Sequence, residues 1–63
     1  MRQVSFYSPA RDRFVCRETG TRFAILPYGH GFRVYINECP DVTRPTRREA
    51  IDRIEQEARF GLL

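Results

Sequence analysis

Phe32-Arg33-Val34-Tyr35-Ile36-Asn37, followed after a loop by Thr46-Arg47-Arg48-Glu49-Ala50-Ile51, decides the fold of this 63-residue chain. In the first stretch Phe32, Val34 and Ile36 alternate with Arg33, Tyr35 and Asn37, the two-residue period of a half-buried strand. In the second, Thr46 and Glu49 stand at the spacing of a capping box. The threonine hydroxyl accepts from the Glu49 amide while the glutamate reaches back to the Thr46 amide. Beyond it Ile51, Ile54 and Ala58, flanked by Ala50, form one apolar stripe at helical spacing. The pattern predicts helix to about Phe60, with Gly61 placed for a left-handed cap. Glu49–Arg53 and Glu55–Arg59 lie four residues apart in the favourable order.

The strand period also runs through Gln3–Tyr7, Arg13–Glu18 and Thr21–Leu26. Breaks at Ser8–Asp12, at Thr19-Gly20 and at Pro27-Tyr28-Gly29-His30-Gly31 separate the runs. Glu38–Pro45, with two prolines, reads as a loop. Four strands with short connections predict an antiparallel meander. The expected fold is therefore α+β: a four-stranded antiparallel β-meander with one C-terminal α-helix packed on one face, residues 1–63 forming a single domain.

One helix covers one face of such a sheet. If Val4, Phe6, Phe14, Cys16, Phe23, Ile25, Phe32, Val34 and Ile36 meet the helix, alternation sends the intervening residues to the open face. That set is Ser5, Tyr7, Arg13, Val15, Arg17, Arg22, Ala24, Arg33 and Tyr35.

All eleven basic residues are arginine, and the formal net charge is +3. Residues 1–37 hold six Arg against Asp12 and Glu18, a net of +4, while residues 38–63 carry a net of −1. A basic sheet beside a self-balanced helix is the expected result. Arg13, Arg17, Arg22 and Arg33, with Tyr7 and Tyr35, form the candidate partner-binding face. Arg and Tyr are enriched in interface hot spots, and the same residues suit single-stranded nucleic acid, where rings and guanidinium planes stack on bases. Exposed sheets also carry Arg and Tyr for strand propensity and solubility alone. A net of +3 is low for a dedicated nucleic-acid binder, which favours a protein partner. Arg44, Arg47 and Arg48 form a secondary basic cluster at the helix entrance, where solvated side chains, an Arg48–Asp52 pair, or an acidic or phosphate contact would each account for them.

Catalysis needs a nucleophile, a base and an orienting group within reach of one another. His30 lies in a glycine-flanked turn, and Asp12, Glu38 and Asp41 read as loop acids without partners. Two cysteines, Cys16 and Cys39, are too few for a disulfide scaffold, and no metal or cofactor is expected. No apolar run approaches the roughly 20 residues that span a membrane. The strict alternation from Met1 to Tyr7 is unlike a signal peptide, so a cytoplasmic, bacterial-type setting is expected. The small core would gain from a homodimer or a tight partner, through the open face or the Phe60-Gly61-Leu62-Leu63 tail.

From Gly29 to Ala58 the chain resembles the core of HicB-type antitoxins. The resemblance rests on Gly31-Phe32-Arg33-Val34-Tyr35, Pro40-Asp41-Val42 and Thr46-Arg47-Arg48-Glu49-Ala50-Ile51, although the loop lacks the family's glycine and is shorter. It implies a non-enzymatic protein that neutralises a small toxin ribonuclease. A strand meander followed by a helix is also similar to the sheet-type DNA-binding domains of phage integrases. A small domain without catalytic parts is the form taken by many inhibitors of phages and mobile elements, anti-CRISPR proteins among them. The expected function is therefore steric: an Arg/Tyr face docks on an acidic surface of a larger protein or ribonucleoprotein.

Overall fold

The computed structural model describes residues 3–62; Met1, Arg2 and Leu63, the end of the tail named above, lie outside the described residues. The architecture is α+β, an open antiparallel sheet with one C-terminal helix. The sheet has five strands, β1 (Phe6–Tyr7), β2 (Arg13–Cys16), β3 (Arg22–Tyr28), β4 (Gly31–Ile36) and β5 (Cys39–Arg44). They lie side by side in chain order, and α1 (Arg47–Phe60) follows.

The fifth strand corrects the four-strand expectation, since β5 occupies the stretch that reads as a loop. Asn37 and Glu38, both at positive φ (51° and 70°), form a two-residue hairpin turn between β4 and β5. Asn tolerates this conformation; Glu does not advertise it. The β4–β5 register then slips between Arg33 and Tyr35. This bulge turns both Asp41 and Val42 toward the helix and erases the two-residue period. Pro40 pairs opposite Tyr35. On an edge strand a missing N–H blocks pairing with another chain rather than breaking a ladder.

Other boundaries move for similar reasons. β1 is shorter than Gln3–Tyr7. Past its two paired residues the Ser5 carbonyl still accepts from Arg17 N–H at 2.9 Å, but the Ser5 N–H turns to the Glu18 side chain, which accepts from it at 2.9 Å and from the Ser5 hydroxyl at 2.8 Å. β3 continues through Pro27 to Tyr28, because β2 has ended there and Pro27 has no strand on that side to donate to. Only Gly29 and His30 remain as the turn, with Gly29 alone at positive φ (59°). The left-handed cap at Gly61 is not formed: Gly61 stays right-handed (φ −66°, ψ −13°), its N–H bonding the Glu57 carbonyl.

Half of the capping box is made. Thr46 Oγ1 accepts from Glu49 N–H at 3.2 Å, and among the described residues no bond returns from the Glu49 side chain. The buried helix stripe is Ala50, Ile54 and Ala58, with Ile51 half-buried beside it, a small rotation from the expected one. Two alanines in that stripe let the helix approach the sheet closely. All nine residues assigned inward do pack there: Cys16, Phe23, Ile25 and Val34 are buried, and Val4, Phe6, Phe14, Phe32 and Ile36 pack around them. Phe6 meets Phe23 edge to face, centroids 6.1 Å apart. Cys16 is buried and Cys39 exposed, both as free thiols. Among the described residues no helix is long and apolar enough to cross a membrane.

Candidate interaction face

The strand register places five of the six residues of the candidate face on the side of the sheet away from the helix, and the sixth, Arg17, follows just past β2. One cross-strand row is Tyr7, Val15 and Arg22; the next is Arg13, Ala24, Tyr35 and Pro40; the third is Leu26, Arg33 and Thr43. Directly opposed residues share a face, so the rows fix the placement without reference to side-chain rotamers. Arg17, just past β2, continues that strand's alternation and lies over the Tyr7 ring, 5.0 Å from its centroid.

The six residues fall into three adjoining groups. Arg13, Arg22 and Tyr35 border a half-open groove of about 560 Å³. Its floor is Val15, Ala24 and Leu26. Ala24 stands between Arg13 and Tyr35 in its row, and these long neighbours rise on either side and leave it only 3% exposed, so Val15 and Leu26 supply most of the open floor. Arg17 and Tyr7 form a stacked pair toward the β1 edge. Arg33 is stacked on Tyr28 at 3.6 Å, near the β3–β4 turn. A guanidinium resting over a ring is held in place while its N–H groups stay available to a carboxylate.

Tyr28, Leu26, Pro9 and Glu38 belong to this face and are missing from the sequence-derived set. Tyr28 was hidden by the Pro-Tyr-Gly-His-Gly turn reading, although Ala24, Leu26 and Tyr28 carry the strand period unbroken across Pro27. Glu38, in the β4–β5 turn, places a carboxylate 3.7 Å from Arg22, both side chains largely exposed. Such a contact contributes little to stability.

The arginines divide into two classes by partner. In the helix, every arginine meets an acid. Arg47 donates to Asp12 at 2.6 Å, Arg48 lies 3.5 Å from Asp52, and Arg59 lies 3.8 Å from Glu55. Arg53 is the most enclosed. Its Nε meets Asp41 at 3.0 Å and its Nη1 meets Glu57 at 2.9 Å, and the hydrogen bond to Asp41 raises its already high pKa further. Thus Asp12, Glu38 and Asp41, read as loop acids without partners, all have arginine partners. The expected Glu49–Arg53 pair is replaced by Asp41–Arg53–Glu57, because the β5 bulge brings Asp41 under the helix.

The secondary cluster at the helix entrance is not brought together as a free basic patch. Arg47 and Arg48 are paired as above, and Arg44 bonds the Thr43 carbonyl at 3.4 Å. On the open face, by contrast, Arg13, Arg17 and Arg33 have no carboxylate within 4.0 Å among the described residues. His30 is exposed in its turn, and no group of three metal-ligating side chains occurs among the described residues.

Comparison with family models, curated proteins and solved structures gives no match. The HicB-type resemblance therefore rests on the residues quoted above alone.

Proposed function

We propose that this is a non-enzymatic binding protein that docks its open sheet face on an acidic surface of a larger protein or ribonucleoprotein and blocks that surface sterically. The observation that carries the reading is the division of the arginines. A fold that neutralises each helix arginine with its own acid leaves Arg13, Arg17 and Arg33 without one among the described residues, spread across the open face of the sheet; of the other arginines only Arg11, in the β1–β2 connection, and Arg44, on the helix side, share that state. A guanidinium in that state is a ready donor pair for an incoming carboxylate. The net charge of the sheet half would steer an acidic partner into contact.

Direct nucleic-acid binding through the same face is the competing use. It draws on rings that stack on bases, and two of the three tyrosine rings, Tyr7 and Tyr28, already carry a guanidinium on one face. That favours the protein partner. The test is titration of a labelled poly-glutamate peptide, a labelled single strand and a labelled duplex at low and moderate salt. The reading expects binding of poly-glutamate that Arg17→Glu with Arg33→Glu abolishes while the fold is retained. Tighter binding of either oligonucleotide, with a steep log–log salt slope, would overturn it in favour of nucleic acid.

A further inference from the structure

The open-face groove has a property that charge alone does not account for: its floor is apolar. Val15, Ala24 and Leu26 lie at the bottom of about 560 Å³ of half-enclosed space, a volume within the range of small-ligand sites. Arg13 and Arg22 border it on the β2–β3 side and Tyr35 on the β4 side. A surface evolved only for solubility gains nothing from an apolar hollow with Arg13, Arg22, Tyr35 and Glu38 around it, because water in such a hollow lacks hydrogen-bond partners on the floor. Interface hot spots have this form: an anchor side chain fills a desolvated pocket, and polar rim groups exclude water around it.

We infer that the groove takes one large apolar side chain from an acidic segment of the partner protein, with carboxylates flanking that anchor bound by Arg13 and Arg22. The inference rests on the proposed docking of an acidic protein and adds the anchor to it. Charge complementarity fixes the occupant. Arg13 has no carboxylate of its own among the described residues, and Arg22 faces only the exposed Glu38 carboxylate at 3.7 Å, a loose contact that a partner carboxylate would displace. An uncharged apolar peptide would fill the floor and leave the rim unpaired; a purely acidic one would satisfy the rim and leave the floor wet. A side chain of leucine size flanked by Asp or Glu satisfies both.

The probes are two fluorescein-labelled peptides, Glu-Asp-Glu-Leu-Asp-Glu-Asp and its twin with Ser in place of Leu, titrated by anisotropy against the full chain. The leucine peptide should bind about tenfold more tightly, the ratio expected for burying most of one such side chain. Ala24→Leu fills the groove and should reduce that ratio to about one. Ala24 is itself buried, so Leu26→Ser, which spoils the floor at a half-buried position, provides a second route to the same loss. Thermal melting of each variant checks the fold. Equal affinity of the two peptides, with both abolished by Arg17→Glu/Arg33→Glu, would overturn the anchor and leave the acidic-partner reading standing. Failure of both peptides to bind, or binding that survives the double reversal, would overturn that reading and the anchor with it.

Discussion

Replacing Asp41 by alanine removes the strongest link between β5 and the helix. Asp41 accepts from Arg53 Nε at 3.0 Å and from Nη2 at 3.4 Å, and the two side chains are 23% and 21% exposed. Breaking a fully buried pair costs about 3–5 kcal/mol, and an exposed one about 0.2–1 kcal/mol. At a fifth exposed, and with Glu57 still holding Arg53, the loss should fall between, at about 1–2 kcal/mol. For a domain of this size that lowers Tm by about 5–15 °C. The assay is thermal unfolding followed by far-UV circular dichroism, on Asp41→Ala, Arg53→Met and the double variant. The double variant should be less destabilised than the sum of the singles, because neither charge is then left without its partner. Arg13→Met, on the open face with no acid to lose, should stay within about 0.5 kcal/mol of the parent. If Asp41→Ala melts like the parent, or Arg13→Met costs as much, the division of arginines into structural and free ones is wrong.

Acid should loosen the N-terminal edge first. Hydrogen bonds from the Ser5 backbone N–H and then the Ser5 hydroxyl hold the Glu18 carboxyl below the ordinary carboxylate range. A depressed folded value means this contribution is complete above about 4.3, the unfolded value, and is lost as pH falls through the lower folded one. Glu18→Gln should therefore flatten the fall of Tm with pH in that acid window, measured by melting at a series of pH values; an unchanged slope would show that other carboxylates set it. Gly31→Ala should destabilise by about 1–3 kcal/mol in the same melts, because its Cβ would run into the Arg44 backbone carbonyl across the β4–β5 pair. A parent-like melt for Gly31→Ala would mean that β5 can move away at little cost.

Much of this was legible from residue order because the strands in question alternate cleanly. In Phe32–Ile36 a single parity assignment places every side chain, and the helix beginning after Thr46 bears its own signal. The same parity puts the arginines and Ala24 on the open face, though the cross-strand register that sets Ala24 between Arg13 and Tyr35, and the groove there, need the structure. Residues 38–45 were opaque for physical reasons. The turn uses a left-handed glutamate, the bulge sends Asp41 and Val42 the same way, and Pro40 imitates a loop while sitting harmlessly on an edge. With β5 unseen, Asp41 could not be placed beneath the helix, so Arg53 was matched with the wrong acid. Tyr28 was lost because a proline in a central strand normally argues against a strand; here β2 ends before reaching it. The contacts of Asp12 with Arg47 join residues far apart in sequence, which no local pattern reports.

The proposed binding surface is the sheet face opposite the helix. The measurement that tests it most directly is amide chemical-shift mapping of the isotope-labelled protein during titration with the leucine-bearing acidic peptide. Shifts should concentrate at Arg13, Val15, Arg22, Ala24, Arg33 and Tyr35, with Asp52, Gln56 and Arg59 on the outer helix unmoved. Shifts centred instead on the helix entrance at Arg44, Arg47 and Arg48 would contradict it.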